Sequence, residues 1–238
     1  GYTLLMGSVS NLVLNAGLYK NLSYDPVKDF EPIGLAVSYN YTLVARKDLP
    51  FNNLVELVAY AKAQNGKVNF AAAAGMGSAA HLAGVIFAQR AGIQWGYVPY
   101  KGGAQALTDL IGGQVDVTFN GMVASYPHVK SGKIKLLAVS SAKRNSQLGD
   151  TPTVGETLPG FLTGSWQGLL APAGTPKAIV DKLNAEVARI VALPDIKERL
   201  VVLGAEPNNM SADQFSSWLK AEIPAMAKIV RDEKITVD

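Results

Sequence analysis

The residues with the strongest chemical signal in this 238-residue chain are Ala74-Gly75-Met76-Gly77-Ser78-Ala79-Ala80-His81. An apolar run, Phe70-Ala71-Ala72-Ala73, leads into two glycines and then into helical composition. Glycine permits the sharp turn and lets a ligand approach the backbone. The unpaired N–H groups of a first helical turn, with the helix dipole behind them, form an anion site. In open α/β sheets ligands lie beyond the carboxyl ends of strands, where this turn falls. A plain strand-to-helix turn uses the same residues. His81 falls in the first helical turn, where the dipole disfavours a cationic imidazole. It is therefore expected to be neutral, either donating to a ligand or packing structurally.

Two further strand ends carry small polar groups: Gly7-Ser8-Val9-Ser10-Asn11 and Val117-Thr118-Phe119-Asn120-Gly121. Ser8, Ser10 and Asn120 add neutral donors, though ordinary turn chemistry has the same composition. Other chemistries find less support. Gly75-x-Gly77-x-x-Ala80 fits a loose dinucleotide pattern, but no Asp or Glu occurs between Gly75 and Asp109 to hold a ribose. No Gly-x-Ser-x-Gly elbow is present, and no acid neighbours His81 or His128 in sequence. His128 reads as a surface helix residue. Zero cysteine excludes disulfides, zinc–thiolate sites and cysteine nucleophiles, and two histidines argue against a multi-histidine metal centre.

The composition, 48% hydrophobic and 17% charged, excludes a disordered chain. The length suits one large or two small domains. The net charge is +3, and the densest basic cluster, Lys130, Lys133, Lys135, Lys143 and Arg144, has no interleaved aromatics, so a nucleic-acid partner is not expected. The longest charge-free stretch, 68–89, is too polar and alanine-rich to span a membrane and reads as strand, turn and helix.

Strand and helix patterns alternate, predicting an α/β fold with mainly parallel sheets. Strands are expected at 2–6, 30–37, 41–45, 68–73, 96–99, 115–119, 135–139 and 165–170. Helices are expected at 12–18, 54–63, 79–91, 104–111, 123–130 and 194–203. Thr175 at N-cap and Pro176 at N1 open another, with Ile179, Leu183, Val187 and Ile190 at helical spacing. Ser211 and Gln214 form a capping box for a last helix, which Pro224 should kink or split. Irregular residues 147–164 read as a connection between two bodies.

Several segments resemble the periplasmic substrate-binding proteins of the tripartite tricarboxylate transporter family, the Bug receptors. They include Tyr24-Asp25-Pro26-Val27-Lys28-Asp29-Phe30, Val98-Pro99-Tyr100-Lys101-Gly102-Gly103, Gly112-Gly113-Gln114-Val115-Asp116 and Leu169-Leu170-Ala171-Pro172-Ala173-Gly174-Thr175-Pro176. The resemblance covers essentially the whole chain. It implies an α/β two-lobed periplasmic-binding-protein fold of type II, a Venus flytrap, with residues 1–39 plus 164–238 in lobe 1 and 40–163 in lobe 2. Hinges would lie near 37–41 and 161–165. It further implies a periplasmic, monomeric, non-enzymatic protein without cofactor, which clamps a small organic carboxylate between its lobes and delivers it to a membrane permease.

Carried over by position, the family's second-lobe loop matches Ala74, Gly75, Met76, Gly77, Ser78 and His81. Many members have hydroxyls where this chain has Ala79 and Ala80, which leaves Ser78 and backbone groups as donors. Asn120 stands where the family often has an acid, which argues against an amine-bearing ligand. Ser8 matches a family hydroxyl, and Trp166 either walls the cleft or packs in the core. The chain begins at what resembles the family's third strand, so the family's first loop has no counterpart and the first-lobe sheet is expected to lack a central strand. The alternatives are a hydrolase or transferase using Ser78 and His81, and a ligand sensor of the same fold.

Overall fold

The computed structural model describes residues 3–208 and 210–232. The chain divides into two compact units: Gly1–Tyr39 with Ser165–Asp238, and Asn40–Gly164. In chain order the strands and helices are β1 (Leu5–Ser8), α1 (Asn15–Leu18), β2 (Phe30–Arg46), α2 (Leu54–Gln64), β3 (Asn69–Ala72), α3 (Ala79–Ala91), β4 (Gly96–Pro99), α4 (Gly103–Ile111), β5 (Val117–Gly121), α5 (Met122–Lys130), β6 (Ile134–Val139), β7 (Gly164–Pro172), α6 (Lys177–Val191), α7 (Pro194–Val202), β8 (Ala205–Pro207) and α8 (Ala212–Asp232).

In the second unit β4, β3 and β5 are parallel, with Ala72 opposite Pro99 and Phe70 opposite Val117. The latter part of β2 runs antiparallel to both β5 and β6. β3 is a short apolar run with Phe70, Ala71 and Ala72 fully buried, as a strand covered on both faces requires. Phe70 stacks on Trp95 at 5.0 Å, Phe87 on Trp95 at 5.4 Å and Phe119 on Phe161 at 5.8 Å. Gly84 lets α3 lie close, since a Cβ there would sit 2.6 Å from the Phe70 ring.

In the first unit β1 pairs antiparallel with β7, Leu5 opposite Leu170. β7 lies beside β2, and β8 pairs antiparallel with Val37, Ser38 and Tyr39. The Ser211 capping box forms as the sequence predicts: Gln214 N–H donates to Ser211 Oγ at 3.2 Å, and Ser211 N–H to Gln214 Oε1 at 2.9 Å. Phe215, Leu219 and Val230 of α8 are buried.

Several expectations are corrected. Apart from a lone parallel bridge between Val139 and Thr153, only β4-β3-β5 is parallel among the pairings described. The reason is β2, one 17-residue strand where two were expected, which opposes β5, β6 and β8. Residues 38–40 contain neither Gly nor Pro, so nothing breaks the extended backbone there. The first strand is Leu5–Ser8, and helical backbone begins at Val9 as one turn of π-helix; the expected strand residue Tyr2 lies outside the described residues. Pro176, not Thr175, is the N-cap of α6, and the Thr175 hydroxyl donates to Pro172 O at 2.7 Å instead. The buried side chains of α6 are Val180 and Val191, while Ile179 and Ile190 are exposed. α8 passes through Pro224 as one helix. Residues 147–164 belong to the second unit: Leu148, Val154 and Phe161 are buried, and Val139 N–H donates to Pro152 O at 3.0 Å. Among the described residues no helix is long and apolar enough to cross a membrane.

Candidate anion-binding site

β4, β3 and β5 end at one edge of the second unit's sheet, and a helix starts after each. The ends are tied together. Tyr100 N–H donates to Ala72 O at 3.1 Å. The Asn120 amide donates to Gly103 O at 2.9 Å and accepts the Gly121 N–H at 2.8 Å. A Cβ on Gly103 would lie 2.5 Å from Asn120 Oδ1, so glycine is required for this approach. Tyr100 Oη donates to Asp109 at 2.9 Å; burial, then the carboxylate, pushes its pKa up to about 12, keeping it a neutral donor that fixes the β4–α4 connection. The N-caps of α4 and α5 are Gly102 and Gly121, which have no side chain to cap the first-turn N–H groups. Three partly uncapped helix starts thus face one strand edge and favour negative charge there.

The loop from β3 to α3 winds through left-handed backbone at Ala74, Gly75 and Gly77, with φ of +67°, +89° and +78°. Gly75 N–H donates to Ala72 O, and Ser78 N–H to Gly75 O. Ser78 caps α3: its Oγ accepts the His81 N–H at 3.2 Å and donates to Ala73 O at 2.8 Å. Alanine is strained where glycine is not. Ala74→Gly is therefore expected to raise stability by about 0.5–1 kcal/mol, the relieved strain less the added unfolded-state entropy, as read from urea unfolding.

His81 is buried, and burial lowers its pKa to about 4, so the ring is neutral at pH 7, as expected from the sequence. Its Nδ1 accepts the Gly77 N–H at 3.1 Å, and its ring meets Tyr97 edge-on at 4.7 Å between centroids.

The sequence profile of the tripartite tricarboxylate transporter family receptors matches residues 1–235. The chain belongs to this family. Among the receptor's relatives, a UPF0065 protein of Bordetella bronchiseptica is 35% identical over 99% of this chain and 69% of its own length. The protein BugT of Bordetella pertussis is 32% identical over 98% and 72%. The receptor is also similar to solved structures. An R. palustris protein with adipate has a TM-score of 0.93 at 33% identity, covering 99% of this chain and 79% of that one. The periplasmic binding protein BugD has 0.90 at 37%, with 99% and 79% covered. MatC from Rhodopseudomonas palustris, with bound malate, has 0.86 at 33%, with 95% and 78% covered. The receptor's fold is the α/β type II periplasmic-binding-protein fold.

Within the receptor, Ala74, Gly75, Met76, Gly77, Ser78, His81 and Asn120 come together in the second unit. Ala74 and Met76 are exposed, whereas Gly77, Ser78, His81 and Asn120 are buried. Ser8, Ser10 and Trp166 lie in the first unit. The Ser8 hydroxyl donates to Asn11 Oδ1 at 3.1 Å, and Ser10 O accepts the Asn15 N–H. Trp166 is buried against Phe215 and Trp218, and its indole N–H is buried without a hydrogen-bond partner. Sequence reasoning missed the glycine starts of α4 and α5 as anion donors. The signal was Gly102-Gly103 and Gly121 at strand ends directly before helical runs. The Ser78 hydroxyl is spent on Ala73 O and His81 Nδ1 on Gly77, so the two form no nucleophile–base pair.

Proposed function

We propose that this chain is an extracytoplasmic solute-binding protein, periplasmic and monomeric, that captures a small organic carboxylate without catalysis or cofactor and hands it to a membrane permease. The observation that carries the reading is the meeting of three helix starts, two with uncapped glycine N-caps, at one strand edge. Such a site offers backbone N–H groups and positive dipole ends to a carboxylate. The adipate-bound and malate-bound relatives support that ligand class. Ser8, Ser10 and Trp166 are proposed as the first unit's contribution, with capture between the two units as part of the same reading.

The test is a thermal-unfolding panel of mono-, di- and tricarboxylates, with adipate and malate included and the matching amides as controls. An acid at 100 times its Kd stabilises by about 2.7 kcal/mol, which for a chain of this size is roughly 5–11 °C. If no acid raises the midpoint, the reading fails. Asn120→Asp should weaken the binding of such an acid about tenfold or more at pH 7. It adds a negative charge beside the site and replaces the amide that donates to Gly103 O. Calorimetry measures this directly.

A further inference from the structure

His81 is 2% exposed, yet its two ring nitrogens differ in occupancy. Nδ1 accepts the Gly77 N–H, while Nε2 is buried and meets no hydrogen-bond partner. A neutral imidazole nitrogen that accepts an N–H bears no proton, so the tautomer is Nε2–H. The ring is held from both sides: the His81 backbone N–H is bound to Ser78 Oγ, which is itself anchored on Ala73 O, and the ring packs edge-on against Tyr97. These bonds bracket the whole loop from Ala73 to His81. Gly77 is buried, and its N–H is drawn into the protein. The N–H groups of Gly75 and Ser78 are likewise consumed, on Ala72 O and Gly75 O. Among the described residues no protein acceptor meets the N–H groups of Ala74 and Met76, both exposed.

We infer that His81 is a positioning residue of the anion loop: by accepting the Gly77 N–H on Nδ1 it turns that peptide inward and leaves the N–H groups of Ala74 and Met76 as the loop's donors to a carboxylate. The assignment of those donors rests on the carboxylate reading above. Without the Nδ1 acceptor the buried Gly77 N–H has no partner, a costly state that the loop relieves by rearranging. A loop that holds the binding conformation only part of the time binds more weakly by that fraction.

Two substitutions separate this role from packing. His81→Asn keeps an acceptor oxygen near the place of Nδ1, and His81→Leu keeps bulk but no acceptor. Nitrogen-15 spectra of the wild type at pH 7 should show the Nε2–H tautomer, and the Gly77 amide should be protected from hydrogen exchange. That protection should persist in His81→Asn and vanish in His81→Leu. Adipate affinity should stay within about threefold for His81→Asn and fall about tenfold or more for His81→Leu. An Nδ1–H tautomer, an unprotected Gly77 in the wild type, or equal losses in two folded variants would each overturn the role. If His81→Leu does not fold, the wild-type tautomer and Gly77 exchange still decide. A wild type with the expected tautomer and protection that binds no acid of the panel overturns the carboxylate reading and its donor assignment, but not the contact.

Discussion

The stability of the protein is expected to rise by roughly 3 kcal/mol between about pH 4 and pH 6.5, with His81 as the source. Burial holds the folded-state pKa of His81 at about 4, below the model-peptide value of 6.5. Between these values the unfolded chain binds a proton that the folded chain does not. Stability is therefore fully present above pH 6.5, is lost as pH falls, and stops falling on this account below about pH 4. At about 1.4 kcal/mol per pKa unit, the displacement gives the stated size. The group facing the ring is the Tyr97 phenol, whose own pKa is raised by burial and so remains neutral throughout. Glu156, held at about 2 by Arg144, weakens the fold only as pH falls below its unfolded value of 4.5, largely outside this window. Urea midpoints at pH 4, 5, 6 and 7 for the wild type and His81→Asn provide the check. Parallel profiles for the two proteins would show that His81 does not carry the effect.

Phe70→Ala is expected to cost roughly 3–5 kcal/mol, the usual range for truncating a fully buried phenylalanine. The ring touches Trp95, Tyr97 and Phe119, and the face of α3 at Gly84 is shaped to it. Trp95 and Phe119 are themselves packed against Phe87 and Phe161, which limits how far they can collapse into the space. Against a total stability of about 5–15 kcal/mol, this is a large share. The effect should appear as a lower urea midpoint with an unchanged slope, because the same surface is exposed on unfolding. A loss below about 1 kcal/mol would mean that the aromatic cluster beneath the anion loop is not the core of its unit.

The elements legible in the sequence were those whose instructions are local. α3 spans Ala79–Ala91 as predicted, with Ser78 at its N-cap and Gly92 in left-handed conformation at its end. β4 is Gly96–Pro99, and the Ser211 capping box opens α8. Family membership was legible too, because the Tyr100-Lys101-Gly102-Gly103 and Ala171-Pro172-Ala173-Gly174 segments stand in the chain itself. So was the Gly75–Ser78 turn, a consequence of a helix start; the neutrality of His81 was expected from the helix dipole, whereas burial is what lowers its pKa.

What only the tertiary structure decided was which groups already have partners. Ser78 and Asn120 read as free donors in the sequence, yet each is spent on a backbone carbonyl of its own unit. Gly102 before α4 stood in the sequence only as part of a family motif and Gly121 before α5 only as a strand end, but the parallel pairing of β3 with β4 and β5 brings their uncapped N–H groups to the anion loop. The single strand β2 and its antiparallel partners were equally hidden, since pairing joins residues such as Thr42 and Asn120, far apart in sequence. Propensity, capping and turn chemistry act over a few neighbours and are written into the chain. Strand direction, hydrogen-bond satisfaction and burial depend on contacts that exist only once the chain has folded.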